Sequence, residues 1–554
     1  MSSIDWIVLF TTLTGIIIYG IYKSRTSENL DGYFLSNRSM PWYLVLLSIM
    51  GTQASAITFL SAPGQAYTDG MRFVQYYFGL PLAMIIICIV FVPIFRKLKV
   101  YTAYEFLEER FDVKTRTFTS FLFQVSRGLS TGISIYAPSL ILSSLLGWNI
   151  HWTNIIMGGL LIIYTVSGGA KAVAYTQKLQ LIIIIIGMMI AGYMVVHLLP
   201  ANIGFADALR IGGKSGKMNV ITNGMTNNGF DWKDRYNIWS GLIGGLFLAL
   251  SYFGTDQSQV GRYLTAKDNK ESKLGLLING VVKVPMQFLI LLIGVLVFSF
   301  YHYNKAPIYF NDIQIEAAKS TIKKDSLVNL ENQYALVAAD NDPDSYREKN
   351  DIKKQYKDVL KRALPDEDVN DTNYIFLRFV IDYLPKGLIG LLIAVIFLAA
   401  WGSIAAALNA LASCTVVDIH KKFINKELTP KMDYRISKLY TLAWGIFSIV
   451  VAESASNLGN SLIETVNILG SLFYGVILGI FLVAFWIKKI KGHAVFYSAI
   501  ISELLVILIY KADIISFLWL NVIGALLVIL CATIFQIFFS GFDRGKIKTL
   551  PQNY

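Results

Sequence analysis

The chain has 554 residues, 55% hydrophobic and 16% charged, a balance too apolar for the surface of an ordinary soluble protein. Its formal net charge of +12 would suit a nucleic-acid partner, but the basic residues sit in short stretches between apolar runs, so the charge reads as membrane topology. Cys88, Cys414 and Cys531 fall in or at the ends of apolar runs and indicate neither a disulfide framework nor a metal cluster.

Apolar runs of about 17 to 25 residues can each cross a hydrocarbon core as a helix, with the backbone polar groups satisfied inside the segment. Thirteen segments are predicted, at 4–22, 41–67, 73–95, 117–146, 152–167, 177–199, 237–260, 274–302, 373–417, 436–453, 462–487, 494–510 and 514–539. The class expected is an all-α membrane protein in a lipid bilayer. The first segment has Asp5 at its start and Lys23 and Arg25 after it, the reverse of a cleavable signal peptide, so it is expected to remain as a helix. The second carries Gly51-Thr52-Gln53-Ala54-Ser55-Ala56 at mid-span and Ser61-Ala62-Pro63-Gly64 further on, a poor recipe for an unbroken helix. Ser251 to Gln257 in the seventh segment and Trp401 to Asn409 in the ninth are similar clusters of small and polar residues. Interrupted helices in matching places of two halves mark inverted-repeat transporters, which bind ion and solute at the unwound backbone. The alternative is that small residues merely let helices pack closely.

Arg127 in the fourth segment and Lys283 in the eighth are charges inside spans, costly there and rarely idle. Neither has an acidic neighbour one turn away, so each needs another helix, water or an anionic solute; Asp256 is the candidate partner. The ninth segment is long enough to mix a short amphipathic stretch with its span. Two stretches, about 200–236 and 303–372, break the membrane pattern. The second holds fourteen Asp/Glu against eleven Lys/Arg between Lys305 and Asp371, and its 353–362 portion is predicted to form a surface helix. It reads as a solvated loop, with a solute lid or partner-binding element as the alternative.

Basic residues collect after odd-numbered spans, among them Lys23, Arg25 and Arg38, then Arg96, Lys97 and Lys99, and later Lys421, Lys422, Lys426 and Lys548. This bias predicts an N-terminus outside and a cytoplasmic C-terminus in the cell (inner) membrane. The five histidines fall mostly at span ends and read as interfacial residues rather than a metal site or proton relay. Neither a phosphate-cradling loop nor a nucleophile motif is evident, which counts against an ATP-driven pump or an enzyme, and no cofactor is expected.

The passages SAITFLSAPGQAYTDG (55–70), YTAYEFLEERF (101–111), GISIYAPSLIL (132–142), SGGAKAVAYTQKLQ (167–180), SYFGTDQSQVGRYL (251–264) and AALNALASCTVVDIHK (406–421) make the chain resemble the sodium:solute symporter family. Within it, the chain is similar to the branch of sodium/iodide, multivitamin and monocarboxylate transporters. The resemblance implies about 13 transmembrane helices with a five-plus-five inverted repeat of the leucine-transporter type. It divides the chain into a first helix and cytoplasmic loop (1–40), a first repeat (41–200), an extracellular loop (201–236), a second repeat (237–488) including the loop 303–372, and two peripheral helices with a short tail (489–554).

It also implies a sodium site formed by the carbonyls of Gly51, Ala54 and Ala399 and the hydroxyl of Ser403, with Gly402 where the family usually carries a second hydroxyl. Neutral oxygens freed by helix breaks suit a hard cation. A further sodium site known in some relatives is not expected, because its positions hold Ala405, Ala406 and Gln177. The solute positions implied are Gln53, Ile57, Thr58, Tyr77, Ser130, Tyr252, Lys283 and Asn467. Together these readings predict sodium-coupled uptake of a small organic anion, such as a monocarboxylate or vitamin. A sugar or sialic-acid symporter, or a proton-coupled one of the same fold, is the alternative, although the matched ion site offers no titratable carboxylate.

Overall fold

Short polar side chains mark where helices begin. In a computed structural model, which describes residues 1–23, 29–321, 323–338, 343–365, 367–425, 429–455 and 461–547, Asp112 accepts from Thr115 N at 2.7 Å and Asp268 from Glu271 N at 2.9 Å. Each satisfies an N–H that the first turn leaves without a helical partner. Arg25, Lys426 and Lys548 of the predicted basic loops lie outside the described residues.

In chain order the helices begin with α1 (Ser3–Lys23), α2 (Leu30–Leu35), α3 (Trp42–Gln53) and α4 (Ala56–Asp69). After a 3₁₀ turn (Met71–Tyr77) come α5 (Leu80–Ile89), α6 (Phe91–Leu98), α7 (Glu105–Arg110), α8 (Val113–Leu146), α9 (Ile150–His197) and α10 (Phe205–Lys214). A two-residue hairpin, β1 (Met225–Thr226) with β2 (Gly229–Phe230), precedes a π turn (Ser240–Gly244) leading to α11 (Gly245–Gly254), α12 (Gln257–Leu264) and α13 (Asn269–Tyr303). The loop after α13 contains α14 (Asp312–Lys319), α15 (Lys324–Ala338) and α16 (Pro343–Ala363). Then follow α17 (Thr372–Tyr383), α18 (Leu388–Cys414), a π extension (Thr415–Ile424), α19 (Pro430–Glu453), α20 (Leu462–Trp486), α21 (Gly492–Lys511) and α22 (Phe517–Ile547).

Ten of the described helical stretches are long and apolar enough to cross a membrane, and the pair α3/α4, bent by 58°, makes an eleventh. Two shorter apolar helices, Ile150–Val166 and Ser240–Gly254, add to these. The protein is an all-α membrane protein. Burial grades outward from α18, whose apolar stretch is 89% buried, to α1 at 22%, as expected when lipid rather than protein covers the periphery.

At the level of elements one sequence expectation changes, the interruption of the ninth segment, and the others hold. The predicted spans 152–167 and 177–199 fall on the two limbs of α9, which meet at a kink at Gly169 (φ 60°, ψ −177°); that positive φ is a conformation glycine adopts without the clash a side chain would bring. The ninth segment is not interrupted at Trp401–Asn409, since α18 is continuous from Leu388 to Cys414. There the small residues serve close packing: a Cβ on Gly402 would come within 2.6 Å of Gln180 Oε1 on α9. The seventh segment does break, between α11 and α12. The amphipathic stretch expected in the ninth segment is α17, and the helix expected at 353–362 lies within α16. Together α14, α15 and α16 enclose a small core of their own, with Tyr309, Leu327, Tyr356 and Leu360 fully buried.

Candidate functional site

The break between α3 and α4 follows from its hydrogen bonds. A continuous helix would direct Ser55 N–H to the Gly51 carbonyl and Thr58 N–H to that of Ala54. Instead Ser55 N donates to Gln53 O and Thr58 N to Ser55 O, each at 3.0 Å. Gly51 and Ala54 are therefore two of the carbonyls whose usual helical donors the break redirects.

Facing them is α18, where the Ser403 hydroxyl donates to the carbonyls of Ala399 (3.0 Å) and Ala400 (3.1 Å), leaving its oxygen lone pairs able to accept. Gln177 of α9 is wedged between the two helices. It accepts from Ser48 Oγ at 2.8 Å, and donates to Thr52 Oγ1 at 3.2 Å and to the Gly402 carbonyl at 2.9 Å. Gly402 thus contributes a carbonyl that is already engaged and no side-chain oxygen. The wedge fits because Gly51 lacks a Cβ, which would sit 2.9 Å from that of Gln177.

Beside this break lies a cavity of about 1090 Å³. Gln53, Ile57 and Thr58 reach it from the break, Tyr77 from the 3₁₀ turn and Ser130 from α8. Tyr252 comes from α11, Lys283 from α13 and Asn467 from α20, with Ser403 at its edge. All eight predicted solute positions therefore share one cavity with Ser403, whereas Gly51, Ala54, Ala399 and Gly402 are not part of its lining.

Polar partners of the lining are unevenly supplied. Gln53 donates to Asn279 Oδ1 at 2.9 Å, Tyr76 to Asn467 Oδ1 at 3.1 Å, and Gln259 to Tyr252 Oη at 2.7 Å. The Lys283 ammonium is buried over the Tyr77 ring, 5.2 Å from its centroid, and forms no hydrogen bond or ion pair among the described residues. Arg127 also lines the cavity; it pairs with Asp256 and donates to Tyr474 Oη at 2.8 Å, and Tyr474 in turn donates to Asp256 at 2.8 Å. Its guanidinium stacks over Tyr252 at 5.4 Å. Arg127 Nε and Asn467 Nδ2 have no hydrogen-bond partner among the described residues. The lining holds Arg127 and Lys283 and no carboxylate.

Sequence reasoning missed two networks toward the ends of the bundle. Asp418, on the π extension after α18, is buried and accepts from Thr102 (2.8 Å), Ser120 (2.9 Å) and Arg116 (2.6 Å). Glu108 ties Arg116 to Lys422, at 2.6 and 2.8 Å. Toward the other end Glu464 of α20 accepts from Arg235 (2.8 Å), Tyr236 (3.2 Å) and Gln65 (3.4 Å). The available signal was an acid set in an otherwise apolar stretch; the partners are hundreds of residues away.

Comparison with known proteins adds three findings. A family model described as the sodium:solute symporter family matches residues 33–328 and 361–502. The sodium/sialic acid symporter SiaT of Proteus mirabilis is 26% identical over 96% of this chain and 94% of its own length, and the human sodium/iodide cotransporter is 26% identical over 86% of this chain and 64% of its own. A solved substrate-bound, outward-open structure of a Na⁺-coupled sialic acid symporter superposes with a TM-score of 0.77 at 25% identity, covering 97% of this chain and 98% of the other.

Proposed function

The chain belongs to the sodium:solute symporter family, and we propose that within it this protein carries a small organic anion into the cell by alternating access. It is a membrane transporter rather than an enzyme, and Na⁺ is its coupling ion. The observation that carries the anion reading is the lining of the central cavity, with the unpaired Lys283 ammonium, unpartnered N–H donors on Arg127 and Asn467, and no carboxylate in the lining. A solute rich in acceptors and bearing negative charge supplies what these groups lack. Sialic acid, named for two bacterial relatives, carries a carboxylate and falls inside this class.

The proposed sodium ligands are the carbonyls of Gly51, Ala54 and Ala399 and the Ser403 hydroxyl, with the Gly402 position giving no further hydroxyl. Gln53, Ile57, Thr58, Tyr77, Ser130, Tyr252, Lys283 and Asn467 would meet the solute. We take the chain to cross the cell membrane thirteen times, with a five-plus-five repeat over 41–200 and 237–488, the N-terminus outside and the C-terminus in the cytoplasm. The loops at 201–236 and 303–372 then lie outside.

Uptake into proteoliposomes tests this, using labelled lactate, pyruvate, pantothenate, biotin, sialic acid, glucose and iodide with and without an inward sodium gradient. Sodium-dependent accumulation of a carboxylate is the expected result. Sodium-dependent accumulation of glucose alone would overturn the anion reading, and accumulation under a proton gradient alone would overturn sodium coupling.

A further inference from the structure

A second cavity, of about 1010 Å³, lies where the end of α13 meets the small subdomain of α14 to α16. Its walls come from α4 (Tyr67), the α13 terminus (Phe298 and Tyr301 to Tyr303), Lys305, α15 (Tyr334) and α16 (Lys349 and Lys353). Lys305, Lys349, Lys353 and His302 line it, with no acid among the described lining residues. Lys349 and Lys353 are one helical turn apart on α16, a spacing at which like charges repel. They fall in residues 329–360, between the two stretches that the family model matches.

Lys353 is half-buried, with its ammonium 5.4 Å from the Tyr334 ring centroid and 5.9 Å from that of Phe310. It forms no ion pair or hydrogen bond among the described residues. Asp371, the acid nearest in charge, is already engaged by Lys357 at 2.6 Å and by Phe310 N at 3.0 Å. Aromatic faces from Tyr67, Phe298, Tyr301 and Tyr334 surround the remaining space. A void with the unpaired Lys353 ammonium at its wall and aromatic side chains around it is completed by a small molecule that is anionic at one end and aromatic at the other.

We propose that this cavity is a capture site for a carboxylate-bearing solute, held by Lys353 and Lys349 against the aromatic walls before it reaches the central cavity. The inference rests on the anion reading above and on the outward placement of loop 303–372. One helix links the two sites, since α4 contributes Ile57 and Thr58 to the central cavity and Tyr67 to this one, about 14 Å further along its axis.

Burial, reinforced by Lys357 and Lys349 and opposed by Asp371, pushes the Lys353 ammonium down to about 8. Lys305 and His302 also face the cavity. Only the protonated amine attracts a carboxylate, so capture is expected to be present at pH 7 and to fade as pH rises through about 8.

Pyridoxal phosphate with borohydride, applied to the full-length protein in proteoliposomes without sodium, tests the site. The aldehyde condenses with a lysine amine, releasing water, and reduction fixes the product for mass-spectrometric mapping. Labelling of Lys349 and its protection by benzoate are expected. Lys353→Gln should raise the benzoate concentration for half-protection of Lys349 about tenfold, and Lys353→Arg, which keeps the charge, much less. Absence of benzoate protection, or half-protection unchanged in Lys353→Gln, overturns the proposal. Because sodium and transport are not involved, failure of the uptake panel leaves this result standing, and normal sodium-driven uptake without benzoate protection sinks the capture site alone.

Discussion

Asp256 uses its two carboxylate oxygens for different tasks. One accepts from the backbone and hydroxyl of Ser258, at 2.8 and 2.6 Å, and so starts α12; the other binds Tyr474 and Arg127 beside the cavity. Asp256→Asn keeps the cap but leaves Arg127 buried without its counter-charge, which typically costs about 3–5 kcal/mol. A lowered thermal unfolding midpoint in detergent and loss of uptake are expected, and Arg127→Gln on the same background should recover the midpoint but not the transport. At the ion site, Ser403→Ala should weaken sodium activation of uptake several-fold; a sodium titration unaltered by the substitution would remove Ser403 from the site. Lining residues such as Thr58 and Asn467 were legible because local motif and order along the chain place them. The Arg127, Asp256 and Tyr474 triad was half legible: a charge in a span announces that it needs a partner, and Asp256 was the candidate that the structure pairs with Arg127, but Tyr474, and the choice of Arg127 over Lys283, depend on packing that no local pattern encodes.

At the scale of elements, what could be read was chemistry that acts within one turn. Gly51 to Ala56 predicted a break, and the hydrogen bonds of Ser55 and Thr58 show one. Trp401 to Asn409 looked alike, yet α18 continues through it, because small residues give the same pattern whether they loosen a helix or admit a neighbour. Close approach decides other glycines. A Cβ on Gly64 would meet the Thr372 carbonyl of α17 at 2.0 Å, whereas one on Gly159 of α9 meets nothing within 4 Å. Gly64→Ala is expected to force α4 and α17 apart at a cost of about 1–3 kcal/mol, seen as a lower unfolding midpoint. Gly159→Ala, as the control, should be neutral or slightly stabilising.

For the whole molecule, hydropathy identifies a helical membrane protein because lipid leaves the backbone few other solutions. It finds even the short helix Ile150–Val166 and the one after the kink at Gly169 as separate spans. Gln177, a neutral amide between α3 and α18, makes one sodium per cycle the expected stoichiometry. A Hill coefficient near one for sodium-driven uptake is predicted, and a well-determined value near two would contradict it. One charge gains about 2.3 kcal/mol per 100 mV, and a tenfold ion gradient adds about 1.4 kcal/mol; accumulation of a neutral solute is then limited to a few hundredfold, and that of a monoanion to less, since its charge cancels the electrical part. The glycine contacts bear on pharmacology as well. Gly64 against Thr372 and Gly294 against Pro63, where an added Cβ would come within 2.0 and 2.1 Å of backbone carbonyl oxygens, leave α4, α13 and α17 little freedom to slide past one another. A nanobody gripping the α14 to α16 subdomain is therefore expected to slow turnover by restraining the helices that carry it.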